Sequence, residues 1–169
     1  MFTRQQVIEL WERNDLVALG AEAHAMRKRL HPEGLVTYTN TPDDGVMECV
    51  FNRAQSVEER LDALAAIRGE QESTGDVGTF RPLVESTATG MEYMKTIALS
   101  RLCLDNVLHI QSSWRLFGLK IAQLALRFGA DDLGRPEGNV SEEELRRLIR
   151  DAGFIPKERD ALFRNYAIA

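Results

Sequence analysis

Residues 104–128 read LDNVLHIQSSWRLFGLKIAQLALRF. A short apolar approach, VLHI at 107–110, runs into the polar group Gln111, Ser112, Ser113 and Trp114, and an apolar helical pattern comes directly after it. A run of four or five apolar residues leading straight into a helical period reads as a strand feeding a helix. The same unit recurs: LVTY at 35–38, MECVF at 47–51 and TFRPL at 79–83 are short apolar runs set between helical patterns. Strands that alternate with helices long enough to act as crossovers pair in parallel, so the pattern predicts an α/β fold with a parallel sheet.

The punctuation between these runs fixes the helices. Thr3 with Gln6, Ser56 with Glu59, Thr89 with Glu92 and Ser141 with Glu144 each fit the capping box, in which a hydroxyl and a carboxyl or amide satisfy free amides at a helix start. Helix one is expected over about residues 4–13 and helix two, capped by Asp15, over 16–30, with Arg27, Lys28 and Arg29 in its last turn, where the dipole favours cations. His31-Pro32 stops it. The pattern at 115–128 puts Phe117, Ile121, Leu124 and Phe128 on one face, with Leu116, Leu119 and Leu126 on others. A C-terminal helical pair is expected at 142–151, with Val140 and Leu145 at staple positions and Gly153 closing the end, and at 157–166.

Composition narrows the function. The chain has 169 residues, 44% apolar and 28% charged, which suits one domain with one core. A net charge of −5, with Lys and Arg scattered among more numerous carboxylates, gives no basic stripe, so nucleic acid is not an expected partner. No window reaches the length of a membrane span, and the opening MFTRQQVIELW lacks the features of a signal peptide, so a cytoplasmic protein without membrane contact is expected. Cys49 and Cys103 lie far apart and are expected to be reduced and packed. His24, His31 and His109 sit in separate segments without metal-ligand spacing, so no metal site is expected. No GxSxG elbow accompanies Ser112 or Ser113, and no phosphate-cradling glycine loop occurs. Asp131 and Asp132 read either as an acidic pair for acid–base work or as a solvated turn.

In parallel α/β sheets ligands bind at the carboxyl ends of the strands, and HIQSSW falls at such an end. Gln111, Ser112 and Ser113 offer donors and acceptors to a small molecule, with Trp114 as a stacking wall. The alternative is that Ser112 or Ser113 caps the helix and Trp114 fills the core.

Three stretches, TGMEYMKTIALSRLCLDNVLHIQSSW, GLKIAQLALRFGADDLG and SEEELRRLIRDAGFIPKERDALFRNY, together closely resemble the C-terminal part of the dehypoxanthine futalosine cyclases, radical SAM enzymes of the futalosine route to menaquinone. VIELWERNDLVALGAEAHAMRKRLHPEGLVTY is similar to that family's opening helices and first strand, and SVEERLDALAAIRGEQESTG to a helix late in its barrel. The sister aminofutalosine synthases share much of the pattern, but HIQSSW and LRFGADDLG stand closer to the cyclases. The resemblance implies a [4Fe–4S] cluster, held by a CxxxCxxC loop after the first strand, with S-adenosylmethionine on its open iron. Here Tyr38 is followed by TNTPDDG, and no cysteine occurs before Cys49. The stretch GVMECVFNRAQSVEER, from Gly45 onward, already resembles the late barrel, which implies an internal deletion of about half of it. After Gly134, RPEGNV stands in place of a longer family segment.

Together these readings predict a partial, half TIM-type barrel with three to four parallel strands and helical N- and C-terminal extensions: N-terminal helices in 1–34, the barrel in 35–130 and C-terminal helices in 131–169, within one domain. No cofactor is expected to be held by this chain, and no catalytic residue is assigned. Two functions fit: a shortened, catalytically inactive cyclase relative that keeps part of a lip for a nucleoside-type small molecule, or an interaction protein on a half-barrel. Activity would require either that subunits pool their cysteines or that the sequence be an artificial truncation. An open sheet exposes its inner face, where Val50, Leu83 and Ile110 are expected. Either residues 4–30 fold across it, or a homodimer or a full-length relative covers it.

Overall fold

A computed structural model describes residues 1–43 and 45–159. Each expected cap starts a helix: Thr3 opens α1 (Arg4–Glu12), Asp15 opens α2 (Leu16–Leu30), Ser56 opens α3 (Val57–Thr74), Thr89 opens α4 (Gly90–Cys103) and Ser141 opens α6 (Glu142–Asp151). All but Asp15 form the reciprocal capping box, each cap being worth about 1 kcal/mol. Between α4 and α6 lies α5 (Trp114–Ala125), broken at Gly118, whose φ of 83° and ψ of 172° are not helical. That break shifts the phase of the apolar stripe expected for one continuous helix. Ala122, Ala125 and Leu126 are buried, whereas Leu124 and Leu116 are exposed.

The strands are β1 (Leu35–Tyr38), β2 (Val46–Phe51), β3 (Thr79–Val84), β4 (His109–Ile110) and β5 (Ile155–Glu158), and all the pairings are parallel. β2, β3 and β4 pair in that order, and β1 pairs with β5. Residues 131–133 join the two groups. Asp131 N–H donates to Ile110 (3.0 Å), Ser112 N–H to the Asp132 carbonyl (2.9 Å), Thr37 N–H to the Asp131 carbonyl (2.9 Å) and Leu133 N–H to Thr37 (2.9 Å). The result is the expected partial parallel barrel, an arc running β2, β3, β4, residues 131–133, β1, β5.

Three details depart from the sequence reading. The run VLHI contributes only His109 and Ile110 as strand, because the Val107 amide turns back to the Leu104 carbonyl. The helix expected at 157–166 begins as strand: Lys157 and Glu158 belong to β5, and residues 160–166 lie outside the described residues. Pro156 lacks the amide a helix would use, and Gly153, at φ 86°, turns the chain so that Ile155 can donate to the Gly34 carbonyl. Ile110 faces the helices rather than the inside, since it pairs with Phe80, which is fully buried in the core.

Phe51, Phe80, Val84 and Ile110 pack against Leu61, Leu64, Ile97 and Leu99 to form the core between sheet and helices. α2 lies along α4, and α1 packs on α2, α3 and α4. Neither covers the inner face, which corrects that part of the expectation. Their buried residues, Val7, Leu19 and Ala23, belong to the same apolar core, whereas the inner face of the arc carries Glu48 and Arg81 together with Val50 and Leu83, which the register places on that face as expected.

Candidate functional site

Side chains alternate along a strand, and partners in parallel register share a face. Glu48 of β2 pairs with Arg81 of β3. Gln111 follows β4 and bridges to Asp132, which also bridges to Thr37 of β1. These residues form one connected layer on the inner face. Arg81 bonds the Gln111 Oε1 and the Glu48 carboxylate. Gln111 Nε2 donates to Asp132 Oδ1 and to Asp43 Oδ2, both at 2.7 Å. Asp132 also accepts from the Thr37 hydroxyl, from Gly134 N–H at 2.8 Å, and from Arg159 through Nε at 2.6 Å and Nη2 at 2.9 Å. Burial alone would raise the Asp132 carboxyl, but the Arg159 guanidinium and these donors hold it below the ordinary carboxylate range. Gly134 must be glycine: its φ is +69°, and a Cβ there would lie 3.1 Å from the Gln111 side chain.

Asp43, from the connection between β1 and β2, reaches into this layer. Its Oδ2 accepts from Arg81 Nη2 at 3.0 Å as well as from Gln111, and its Oδ1 accepts from Arg159 Nη2 at 3.0 Å.

The residues expected to form a ligand lip divide. Gln111 is buried and fully occupied by Arg81, Asp132 and Asp43. Ser112 is buried, and its hydroxyl lies 3.3 Å from the Tyr93 hydroxyl. Ser113 occupies the N-cap position of α5 without a side-chain cap bond; its amide donates instead to the Tyr93 hydroxyl at 2.7 Å. Capping therefore does not account for either serine. Ser113 and Trp114, half-buried, line a cleft with Arg115, Gly134 and Arg135, and Arg81 and Gln111 also line it. The cleft holds about one water.

A second polar cluster ties the sheet to α4 and to the end of α2. Asp131 Oδ1 accepts from Arg101 Nη2 at 2.7 Å and from Ile110 N–H at 2.8 Å, and its Oδ2 lies 2.6 Å from His109 Nδ1 and 3.0 Å from His31 Nε2. The two imidazoles stack, with centroids 5.3 Å apart. A solvated turn is thereby excluded for Asp131 and Asp132, which are 1% and 0% exposed. Burial would raise the Asp131 carboxyl, but His109, Arg101 and the bond from His31 hold it well below the usual range.

Among the described residues, His31, His109 and Asp131 are the group whose ligand atoms converge, within 4.8 Å. His31 and His109 each meet the Asp131 carboxylate, with Arg101 on it as well, an arrangement of a buried ion-paired cluster rather than of an open cation site. For a [4Fe–4S] cluster the chain offers two thiols, not three. Cys49 lies within β2 and Cys103 ends α4, and both thiols are free and raised by burial, Cys103 to about 12. These residues do not fit a cluster within one subunit.

Asp43, Arg81, Arg159 and Arg101 escaped the sequence reading. They carry no short-range motif: their side-chain partners lie 27 to 116 positions away, apart from the Val107 carbonyl six residues from Arg101. The signal present was the TNTPDDG connection itself, which places an acidic pair after the first strand.

Comparison with known proteins places the chain. Its residues 74–168 match the family model described as the CofH/MqnC C-terminal region. It is 36% identical over 132 residues to cyclic dehypoxanthine futalosine synthase of Streptomyces coelicolor, covering 65% of this chain and 33% of that protein. It is 32% identical over 150 residues to aminodeoxyfutalosine synthase of the same organism (68% and 38%), and 32% over 146 residues to 5-amino-6-(D-ribitylamino)uracil--L-tyrosine 4-hydroxyphenyl transferase 2 of Methanosarcina acetivorans (68% and 38%). The matched parts are thus about a third to two fifths of those relatives. With the partial parallel barrel and a match over more than half its length, the chain belongs to the CofH/MqnC C-terminal family.

Proposed function

We propose that this chain is a shortened relative of the futalosine cyclases that does not start radical chemistry within its own subunit and retains part of a lip for a nucleoside-type small molecule. The connection Thr39–Gly45 carries this reading. It takes β1 directly into β2, where the resemblance implies a CxxxCxxC loop and further strands, and it fills the inner face with Asp43 in place of thiolates. Anaerobic reconstitution with iron and sulfide should yield no stoichiometric [4Fe–4S] absorption and no 5′-deoxyadenosine from S-adenosylmethionine. A stable redox-active cluster overturns the proposal. For the lip, a futalosine-type nucleoside should raise the melting temperature by native-state binding, and flat titrations to millimolar ligand count against it. No helix among the described residues is long and apolar enough to cross a membrane.

A second reading rests on the ends of the arc. Among the described residues β2 and β5 each have one strand neighbour, and Val50 and Ile155, both 58% exposed, lie on these end strands. Self-association, or association with a full-length relative, would cover them. Light scattering that returns only a stable 19 kDa species rules out the homodimer.

A further inference from the structure

The Asp43 carboxylate is held as a ligand is held. Guanidinium groups from two separate segments and one amide converge on it: Arg81 Nη2 at 3.0 Å, Arg159 Nη2 at 3.0 Å and Gln111 Nε2 at 2.7 Å. Arg159 and Gln111 are themselves buried, at 1% and 2% exposure, and the network through Asp132 and Glu48 fixes all three donors. The chain around Asp43 is tied down lightly by comparison. Residues 40–43 make no backbone–backbone hydrogen bond to the rest of the described residues, and the Asp43 side chain keeps 10% of its surface in solvent.

We propose that Arg81, Arg159 and Gln111 form a receptor for a small monocarboxylate, and that Asp43 occupies it as an internal, displaceable ligand. Each guanidinium turns its Nη2 toward the carboxylate, and with the Gln111 amide these charge-assisted donors satisfy both of its oxygens. The charge balance selects a monoanion. Among the described residues the ion pairs here join Arg81 and Arg159 to Asp43, Asp132 and Glu48; replacing Asp43 by an external monocarboxylate leaves their net charge unchanged, whereas a dianion adds repulsion from Asp132 and Glu48. The site lies beneath the cleft lined by Ser113 and Trp114 and deepens the ligand-lip reading, on which it rests for its place, by giving the class of group that would anchor there.

The test removes the internal ligand. Asp43→Ala, melted in 100 mM formate or acetate against chloride of equal ionic strength, should gain about 3 °C or more, while the unmodified protein and the double variant Asp43→Ala/Arg81→Gln melt equally in both salts. Phosphate should do no better than chloride. An equal response of Asp43→Ala to formate and chloride overturns the receptor, and an equal response to formate and phosphate overturns the carboxylate assignment. If Asp43→Ala is not recovered folded in chloride, the refolding yield is the readout: recovery specific to formate supports the site, and equal yields in the two salts overturn it. Carboxylate binding without nucleoside binding leaves this site standing and removes the nucleoside lip alone.

Discussion

Asp131 and Asp132 are consecutive residues of one extended segment, and alternation along it sends their carboxylates in opposite directions. Asp131 meets Arg101 from α4, His31 from the end of α2, and His109. All four side chains are at most 2% exposed. Asp132 meets Arg159, Thr37 and Gln111, and through Gln111 and Arg159 that network reaches Asp43 and the cleft beside Trp114. One carboxylate therefore fastens the sheet to its helices in a dry setting, and its neighbour organises a layer that communicates with solvent. A buried charge with fixed partners reports on architecture; a charge network with one loop-borne, partly wet member is where an outside ligand can exchange with an internal one.

The comparison breaks most visibly at Arg101. Its guanidinium also donates to the Gly129 and Val107 carbonyls, so Arg101→Ala strips Asp131 of its guanidinium and leaves carbonyls short of donors; a loss of about 3–5 kcal/mol is expected in denaturant unfolding. A loss below about 1 kcal/mol would show that the dry cluster does not hold the helices to the sheet. On the other side, Asp43→Ala in chloride should cost less, about 1–2 kcal/mol, because loop and solvent relax around the vacated donors. If it matches Arg101→Ala, the two networks are equally structural and the contrast between them fails.

The smallest effect concerns protons. His24 on α2 is lowered to about 4, by burial first and then by Arg27, Arg127 and Lys28. A base whose folded pKa lies below its unfolded value of about 6.5 binds protons preferentially in the unfolded chain, so its contribution turns unfavourable as pH falls from about 6.5 toward 4. Asp131 and Asp132 are lowered acids, and the stability they contribute is held above their ordinary range near 3.8 and lost only below it. Melting temperatures between pH 7 and 4.5 should therefore fall more steeply for the unmodified protein than for His24→Leu. Parallel profiles would remove His24 from the account.

Much of the scaffold was legible because its signals are local. A capping box spans four residues, and all four boxes formed; the strands at 35–38, 47–51 and 79–83 were bounded by turns and recur within a residue. β5 was hidden because Ile155-Pro156-Lys157-Glu158 is strand only by virtue of β1 beside it. The polar networks were hidden for the same reason. His31 and His109 stand far apart along the chain and meet through the fold, and Asp131 and Asp132 look like any acidic turn until strands flank them on both sides. Of the cleft, Ser113 and Trp114 follow from the strand-to-helix position, whereas the engagement of Gln111 depended on Arg81 and Asp43, which no spacing linked to it.

The neighbours of β1 set an order of events. Leu35–Tyr38 pairs on one side with residues 131–133 and on the other with Ile155–Glu158, so both partners of an early strand come late in the chain. Closing loops of that length makes such pairing intrinsically slow. β2, α3, β3 and α4, by contrast, also pair and pack with one another over short separations, β2 with β3 and α4 with β3 and α3. During synthesis that central unit can assemble first, while Val36 and Tyr38, fully buried in the folded protein, wait for β5 to be made before that edge of β1 is paired.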